Sequence, residues 1–376
     1  MGDTRRVLHV IPHSSGTPWL EDLLPRLQLL NWEPVVATIT PEGPIHSALR
    51  RAGVSAIALN CTSRRQYLSA ILRITPSVHA VSLVHAHWFD SAVVAEIAAQ
   101  FACRRVILTR HEQPKFLELA AISPLKRRVF SLLDSLTLRR ASAVIAPSHG
   151  VADELRRLGV TDRRVQRIAL GLDLDRVTRV DRDRAGLVRA SLAPNASLLA
   201  ITVGRLVWEK QIDVLLRAWK TVTTRLPHAH LLIAGDGPQR TSLEVLARDL
   251  HIGSAVSFLG RRHDVLELML AADVVVQPSA TESTGLVLIE ALALQRPLIS
   301  TSVGIVEEYL RDEAGCLVAP QGDSEALANA ILSVATAPEK AVELARRGAI
   351  AVTRYSSVEM TAKRYVELYE RVMVDA

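Results

Sequence analysis

The sequence predicts an α/β protein with two domains, each built around a parallel sheet that helices cover on both faces. A length of 376 residues suits two domains at roughly 100–200 residues each. Short apolar runs alternate with helix-length amphipathic segments, which is the pattern of parallel strand–helix units. Hydrophobic residues make up 49% and aromatic residues only 4%. Aliphatic side chains therefore supply the cores, as in strands that are buried on both faces.

The N-terminal half begins with an apolar strand, Val7–Ile11, and the amphipathic segment Trp19–Leu30 predicts the helix that follows it. The later strands are predicted at Val35–Ile39, Ala56–Leu59, Leu83–His87, Val106–Thr109 and Ala143–Ala146. The later helices are predicted at Ile45–Arg51, Arg64–Ile74, Ser91–Phe101, Pro124–Arg140 and Gly150–Leu158.

The alternation lapses at Asp173–Ala190, which is highly charged and has no clear period. Turn residues follow at Ser191–Asn195, so we predict a domain junction here, with domains at 1–180 and 195–355. Residues 356–376 are predicted to form a last helix that packs back on the N-terminal domain. The strands after the junction are predicted at Leu198–Val203, His230–Ala234, Ala255–Leu259, Val274–Gln277 and Leu298–Thr301. The helices are predicted at Lys210–Arg225, Pro238–Leu250, Asp264–Ala271, Gly285–Ala293 and Ser324–Ala335. Two such halves predict parallel sheets that face a central cleft.

The sequence favours a cytoplasmic protein. Its three cysteines are far apart and form neither a CxxC pair nor a zinc-site spacing, which suits a reducing compartment. The apolar run near the N-terminus is too short for a signal-peptide core. The longest apolar stretch, Ala92–Ala102, contains Glu96 and Gln100, so we expect no membrane span.

Charge is divided unevenly between the two halves. Residues 1–180 hold 24 Lys and Arg against 15 Asp and Glu, a net charge of +9, and the remainder has a net charge of −3. A basic half can attract the inner face of an anionic membrane or an anionic acceptor, and it can also be a solvated surface. Nucleic acid is not expected as a partner, because no nucleic-acid-binding motif accompanies the charge.

The densest chemical pattern is Pro278–Leu310. A predicted strand ends at Ser279, a loop holds Glu282, and Gly285 opens a helix that carries Glu290. A helix N-terminus at the end of a strand offers free N–H groups to a phosphate. The two carboxylates, eight residues apart, suit sugar hydroxyls on different parts of one extended ligand.

A second pattern, Val203–Gln211, follows the first strand of the C-terminal half. Arg205 and Lys210 flank the turn before its helix. Two cations at the end of a strand can neutralise a diphosphate, Arg through its planar fork and Lys as a point charge.

These two segments resemble the retaining GT-B glycosyltransferases of glycosyltransferase family 4 (group 1), which have two Rossmann-like domains. The first segment is similar to that family's paired-glutamate motif and the second to its V-G-R-L-x-x-x-K element. Further segments resemble the family in the same order: Ile107–Glu112, Ala143–Ser148, Ala169–Asp173, Leu231–Pro238 and Val256–Gly260.

The resemblance implies a role for each matching residue. Arg205 and Lys210 would hold the diphosphate of a nucleoside-diphosphate sugar, and Glu290 would hold its ribose. Glu282 would hold the transferred sugar, and His111 would face that sugar from the N-terminal domain. The remaining donor contacts implied are Gly16, Arg261, Ser283, Thr284, Gly285, Leu286 and Val287.

The implied reaction is transfer of a hexose to an acceptor hydroxyl with retention of configuration, in cell-surface polysaccharide or glycolipid synthesis. No cofactor and no metal are implied, since the cations neutralise the leaving diphosphate. The acceptor would be a carbohydrate or a lipid-linked intermediate. Two alternatives stay open: a sugar-nucleotide 2-epimerase of related architecture and a non-catalytic nucleotide-sugar-binding protein.

The sequence departs from the family pattern at four places. Thr284 replaces a Phe, Gln211 replaces a Gly, and Gly304-Ile305 replaces a Gly-Gly pair. The loop at Ser14-Ser15-Gly16 is also poorer in glycine than is usual. The third departure would matter for catalysis if the missing glycine required a positive φ.

Two other patterns have ordinary explanations. Asp173-Leu174-Asp175 and Asp181-Arg182-Asp183 have the D-x-D form of metal-dependent transferases, but they fall in a solvated charge run. The basic helix predicted at Pro124–Arg140 can lie on a membrane, but such an apolar stripe more often packs on its own sheet. We therefore expect its leucines to be buried.

Overall fold

The computed structural model describes residues 5–111, 123–310 and 315–374. The chain divides into two units: one comprises Met1–Asp173 and Val358–Ala376, and the other comprises Leu174–Ser357. The sequence predicts boundaries at 180 and 195 instead. Glu112, the last residue of the Ile107–Glu112 motif, lies outside the described residues.

The first unit contains a seven-stranded parallel sheet in the order β3-β2-β1-β4-β5-β6-β7. Its strands are β1 (Arg5–Ile11), β2 (Trp32–Thr38), β3 (Ser55–Ala58), β4 (Leu83–His87), β5 (Arg105–Thr109), β6 (Ala143–Ala146) and β7 (Val165–Arg167). Its helices are α1 (Pro18–Leu29), α2 (Pro44–Arg51), α3 (Tyr67–His79), α4 (Trp88–Phe101), α5 (Pro124–Arg140), α6 (His149–Arg157) and, at the end of the chain, α15 (Val358–Val374). Helix α15 packs against α1 within this unit.

The second unit contains a six-stranded parallel sheet in the order β10-β9-β8-β11-β12-β13. Its strands are β8 (Leu198–Val203), β9 (Ala229–Ala234), β10 (Val256–Gly260), β11 (Val274–Gln277), β12 (Leu298–Ser300) and β13 (Leu317–Val318). Its helices are α7 (Leu174–Thr178), α8 (Arg182–Leu192), α9 (Ile212–Arg225), α10 (Arg240–Asp249), α11 (Val265–Ala271), α12 (Leu286–Ala293), α13 (Ser324–Thr336) and α14 (Pro338–Tyr355).

The predicted α/β class with two parallel-sheet, Rossmann-like units is confirmed. Strand order reverses between β1 and β4 in the first sheet and between β8 and β11 in the second. Open parallel sheets bind ligands outside the carboxyl ends of the strands at such a switch point. The loops after these four strands are therefore where each unit is expected to hold a ligand.

Four segments differ from the sequence prediction. The charged stretch predicted to lack regular structure contains α7 and α8, and both belong to the second unit. Helix α14 and the short strands β7 and β13 were not predicted either.

The basic helix α5 also differs from expectation. Its predicted inward stripe is largely exposed, since Leu125, Val129, Leu132 and Leu136 are 73%, 47%, 61% and 39% exposed. The expectation that this stripe packs on the sheet is therefore wrong for these residues. No helix in the described ranges is long and apolar enough to span a bilayer.

Candidate active site

The loops after β8 and β11 meet through an ion pair between Lys210 and Glu282. The Nζ atom of Lys210 donates to Oε1 of Glu282 at 2.5 Å, and the two side chains are 18% and 12% exposed. The Ser279 hydroxyl donates to the same oxygen at 2.8 Å. A cation and a carboxylate thus stand together at the switch point of the second sheet.

A cavity of about 530 Å³ lies at the carboxyl ends of β8, β9 and β10. Arg205 and Arg261, two of the predicted donor residues, both line it, together with Gly204, Gly235 and Gly237. Lys210 lies beside this cavity, because a Cβ placed on Gly204 would lie 3.3 Å from Lys210 Cε. The volume falls in the range of small-molecule sites, roughly 300–1,000 Å³.

The N-terminus of α12 follows directly on the Glu282 loop. The first intrahelical donors are the amides of Leu288 and Ile289, which bond to the carbonyl of Gly285. The amides of Leu286 and Val287 precede them, at the positive end of the helix dipole. Glu290 lies one turn further along α12 and is half-buried.

The departures from the family pattern have specific structural consequences in this loop. The carbonyl of Thr284 accepts the amide of Ile305 at 3.0 Å, and the Thr284 hydroxyl is buried without a hydrogen-bond partner. The positive φ of +54° falls on Gly304, and Ile305 is not among the positive-φ residues of the described chain. The glycine that the backbone requires at this position is therefore retained.

In the first unit, His111 is the end of a hydrogen-bonded chain of imidazoles. Nε2 of His111 lies 3.1 Å from Nδ1 of His87, and Nε2 of His87 lies 3.0 Å from Nδ1 of His9. All three rings are buried. Nearby, His85 bonds to Tyr369 at 2.6 Å and to Thr109 at 2.7 Å.

This chain restricts the tautomers of its members. Nε2 of His9 is buried without a partner, and a buried orphan N–H is rarer than an orphan acceptor. The favoured direction therefore has His9 donating to His87 and His87 donating to His111. In that arrangement His111 carries its proton on Nδ1.

Burial keeps these rings neutral. Desolvation lowers the pKa of His9 to about 3. Desolvation, together with the charge of His13, lowers the pKa of His111 to about 3. The Trp88 ring stacks on His111 at 4.2 Å, and Trp88 has a positive φ of +64°, a strained conformation for a bulky residue.

Gly16 lies in the exposed loop between β1 and α1. In the same loop His13 contacts Trp88, with ring centroids 5.2 Å apart, and Trp88 in turn stacks on His111. The loops after β1, β4 and β5 are thereby joined at the switch point of the first sheet.

Several residues of these sites were not singled out as functional from the sequence. Ser279 orients Glu282, and Gln277 joins β8 to β11 by accepting from Thr202 at 3.0 Å and donating to the carbonyl of Val203 at 2.9 Å. Gln277 and Ser279 lie at or just after the end of the apolar strand β11, and this position was the sequence feature that could have indicated a functional role. Trp19 and Trp88 flank His111, with ring centroids 4.9 and 4.2 Å from the imidazole centroid.

The chain is similar to known glycosyltransferases along most of its length. Residues 184–350 match the model of glycosyl transferases group 1, and residues 19–176 match the model of Glycosyltransferase Family 4. It is 33% identical over 310 residues to the D-inositol 3-phosphate glycosyltransferase of Rhodococcus erythropolis, covering 78% of this chain and 69% of that protein. It is 30% identical over 230 residues to the lipopolysaccharide core biosynthesis glycosyltransferase LpsE of Rhizobium meliloti. This match covers 61% of this chain and 64% of LpsE.

Solved structures show the same fold. The Anabaena protein HepE in complex with UDP-glucose superposes with a TM-score of 0.84 at 20% identity, covering 97% of this chain and 99% of HepE. Sucrose-phosphate synthase from Thermosynechococcus elongatus superposes with a TM-score of 0.80 at 23% identity. This match covers 99% of this chain and 100% of the synthase. Fold and sequence therefore define a glycosyltransferase of the GT-B class. The chain belongs to the group 1 glycosyltransferases of family 4.

Proposed function

We propose that this glycosyltransferase moves a hexose from a nucleoside-diphosphate donor to an acceptor hydroxyl, with retention of configuration and without a metal ion. The observation that carries the proposal is the Lys210–Glu282 pair beside the cavity lined by Arg205 and Arg261. Cations suit a diphosphate, and a carboxylate suits sugar hydroxyls.

Each part of the donor has a proposed partner in the second unit. The diphosphate binds Arg205, Lys210 and the N-terminus of α12, whose amides and dipole favour an anion. Ser283, Thr284, Gly285, Leu286 and Val287 supply this loop and helix end. Arg261 borders the nucleobase, and Glu290 accepts from the ribose hydroxyls.

Glu282 is proposed to hold the transferred sugar. Lys210 and Ser279 both donate to its Oε1 atom, and among the described residues Oε2 has no partner. Oε2 can therefore accept from a sugar hydroxyl while Oε1 stays bound to Lys210. In the first unit, Gly16 and His111 are proposed to complete the donor contacts.

The proposed chemistry takes place at the anomeric carbon. Its bond to the β-phosphate oxygen breaks, and the acceptor oxygen bonds to it on the same face. The acceptor proton passes to the departing phosphate oxygen. Arg205, Lys210 and the helix end stabilise the charge that grows on the diphosphate, and each such donor can contribute about 10²–10³ in rate.

Relatives of the chain support the substrate classes. A Mycobacterium tuberculosis relative, 30% identical over 204 residues, is a GDP-mannose-dependent mannosyltransferase that acts on a phosphatidylinositol dimannoside. We propose a carbohydrate or lipid-linked acceptor in cell-surface polysaccharide or glycolipid synthesis. We further propose that the protein is cytoplasmic and that its basic first unit contacts the anionic inner face of the membrane.

The first test measures ligand binding and turnover with the purified protein. UDP-, GDP- and ADP-sugars are screened by thermal shift, because a ligand that binds the folded state raises its stability. Release of nucleoside diphosphate is then followed with and without candidate acceptors, and with and without EDTA. Acceptor-dependent release that EDTA leaves unchanged, with an unchanged anomeric configuration in the product, supports the proposal.

Other outcomes would contradict it. Isomerised donor without acceptor would indicate a 2-epimerase, and binding without turnover would indicate a non-catalytic protein. Arg205→Ala is expected to lower kcat more than donor affinity. Arg225→Ala is the matched control, because Arg225 is an exposed arginine at the far end of α9.

A further inference from the structure

Helix α5 of the first unit has an apolar stripe on its outer face. The four exposed side chains that form it are Leu125, Val129, Leu132 and Leu136. Their spacing of four, three and four residues places them within about 60° of one another around the helix, at 100° per residue. The stripe is therefore continuous along three turns.

The opposite face of α5 is fixed to its own unit. Phe130 contacts the ring of Phe89 at 6.0 Å, and Thr137 and Leu138 are buried. Asp134 accepts two hydrogen bonds from Arg110, at 2.6 and 3.0 Å, in an ion pair that is almost fully buried. Turning the outer stripe inward would break this pair, which is strongly unfavourable.

The exposed part of the helix is strongly basic. Its cationic residues are Lys126, Arg127, Arg128, Arg139 and Arg140. On a helical projection Arg128 and Arg139 border one side of the stripe, and Lys126 and Arg140 border the other. Asp134 is the one acidic residue of α5, and it lies on the buried face against Arg110.

Helix α3 of the same unit also carries exposed apolar side chains. Leu68 and Leu72 on α3 are 71% and 69% exposed. The start of α3 lies close to α5, because the guanidinium of Arg64, three residues before α3, stacks over the Phe130 ring at 4.7 Å. Arg65, just before α3, is exposed as well.

We infer that the outer face of α5 lies on the surface of an anionic phospholipid bilayer. A leucine stripe with arginines along both sides matches a helix that lies in the interface, with its apolar side chains among the acyl chains and its cations at the phosphates. This inference deepens the proposed membrane contact and is independent of the donor chemistry.

The test is co-sedimentation of the full-length protein with vesicles. Vesicles of phosphatidylcholine alone are compared with vesicles that also contain phosphatidylglycerol, at low and high salt. We expect binding to the anionic vesicles, and we expect high salt to weaken it. Leu132→Glu should lower the bound fraction about tenfold or more, because it removes a large apolar side chain from the stripe and adds a negative charge.

Leu187→Glu is the matched control, since Leu187 is an exposed leucine on a helix of the second unit, with 72% exposure. Thermal unfolding shows whether each variant folds, and donor binding reports separately on the second unit. The inference fails if anionic vesicles bind the wild-type protein no better than neutral ones, or if both variants bind equally. It also fails if Leu132→Glu dissociates a dimer in solution, because the stripe would then join two copies of the chain. None of these results would bear on glycosyl transfer to a soluble acceptor.

Discussion

Lys210 and Glu282 are 72 residues apart in the chain, yet they form an ion pair of 2.5 Å between two loops of the second unit. The loops follow β8 and β11, the strands that border the switch point. Because both side chains are mostly shielded from water, the lysine charge is already balanced before a donor arrives. A diphosphate that binds here as proposed would therefore share the Lys210 ammonium with Glu282.

Replacing this lysine should affect turnover more than binding. We expect Lys210→Ala to lower kcat about 10²–10³-fold, because the charge on the leaving diphosphate is greater in the transition state than in the bound donor. The measurement is steady-state kinetics with saturating acceptor. Lys220→Ala, at an exposed position on α9, should leave both kcat and KM unchanged. An equal loss from both variants would contradict the assignment.

The pair itself can be tested with a double-mutant cycle. Lys210→Ala, Glu282→Gln and the double variant should give losses of kcat/KM that are not additive, because each side chain orients the other. Additive losses would indicate that the two residues act independently.

Two glycine-to-alanine substitutions should have opposite effects on stability. A Cβ on Gly235 would lie 1.8 Å from the carbonyl oxygen of Gly204, and Gly235 has a φ of +147°. We expect Gly235→Ala to lower the free energy of unfolding by at least about 2 kcal/mol. Gly186, inside α8, has open space around it, so Gly186→Ala should raise it by about 0.5–1 kcal/mol. Urea unfolding measures the free energy of unfolding of both variants. A higher value for Gly235→Ala would show that the loops after β8 and β9 do not pack closely.

Gln211 adopts a left-handed conformation, with φ 47° and ψ 43°, between Lys210 and α9. Such a conformation costs a non-glycine residue roughly 1–2 kcal/mol, and glycine loses roughly 0.5–1 kcal/mol more chain entropy on folding. We therefore expect Gln211→Gly to stabilise the protein by up to about 1 kcal/mol. Removing the buried, unpartnered amide oxygen of Gln211 acts in the same direction. Thermal unfolding should show a higher Tm, and a lower Tm would mean that the Gln211 side chain stabilises the loop.

The buried histidines should make stability fall in mild acid. The pKa of His9 and of His111 is lowered from 6.5 to about 3, with desolvation as the main cause. Between these values the unfolded chain binds more protons than the folded protein, so the free energy of unfolding decreases as pH falls. From pH 6.5 to 5 the loss is up to about 2 kcal/mol per histidine.

One acid opposes this trend. Burial raises the pKa of Glu96 to about 7, so the folded protein binds that proton first and gains stability as pH falls. The pKa values of His85 and His87 are also lowered by burial, so the histidines outweigh Glu96. Thermal unfolding should show that Tm falls from pH 7 to pH 5, and Tm should fall less over this range in the His9→Asn variant. A Tm that is constant over this range would contradict neutral, buried rings.

The sequence predicted the elements around the sites well, because parallel strands buried on both faces appear as apolar runs. It missed α14, whose buried face consists of small residues such as Ala341, Ala345 and Gly348. A Cβ on Gly348 would lie 2.6 Å from the carbonyl oxygen of Gly315, so close packing requires glycine at this position. Because glycine in a sequence usually indicates the end of a helix, the pattern did not predict α14. Helix α8 was missed because Ala185 is the one residue it buries completely, which gives no apolar period.

Other features depend on contacts between distant residues. Helix α5 carries apolar residues on two faces, and the sequence alone does not show which face lies against the sheet. The contact of Asp134 with Arg110 decides the matter. The chain from His9 through His87 to His111 joins β1, β4 and the loop after β5, so no local pattern predicts it.

The Arg110–Asp134 bond has a mechanical consequence. Arg110 directly precedes His111 in the chain, and Asp134 lies in the middle of α5. The bidentate ion pair therefore fixes the distance between the middle of α5 and the residue that precedes His111. A displacement of α5 would move Arg110 and, through the backbone, His111. A contact that holds α5 in place therefore also restrains the position of His111.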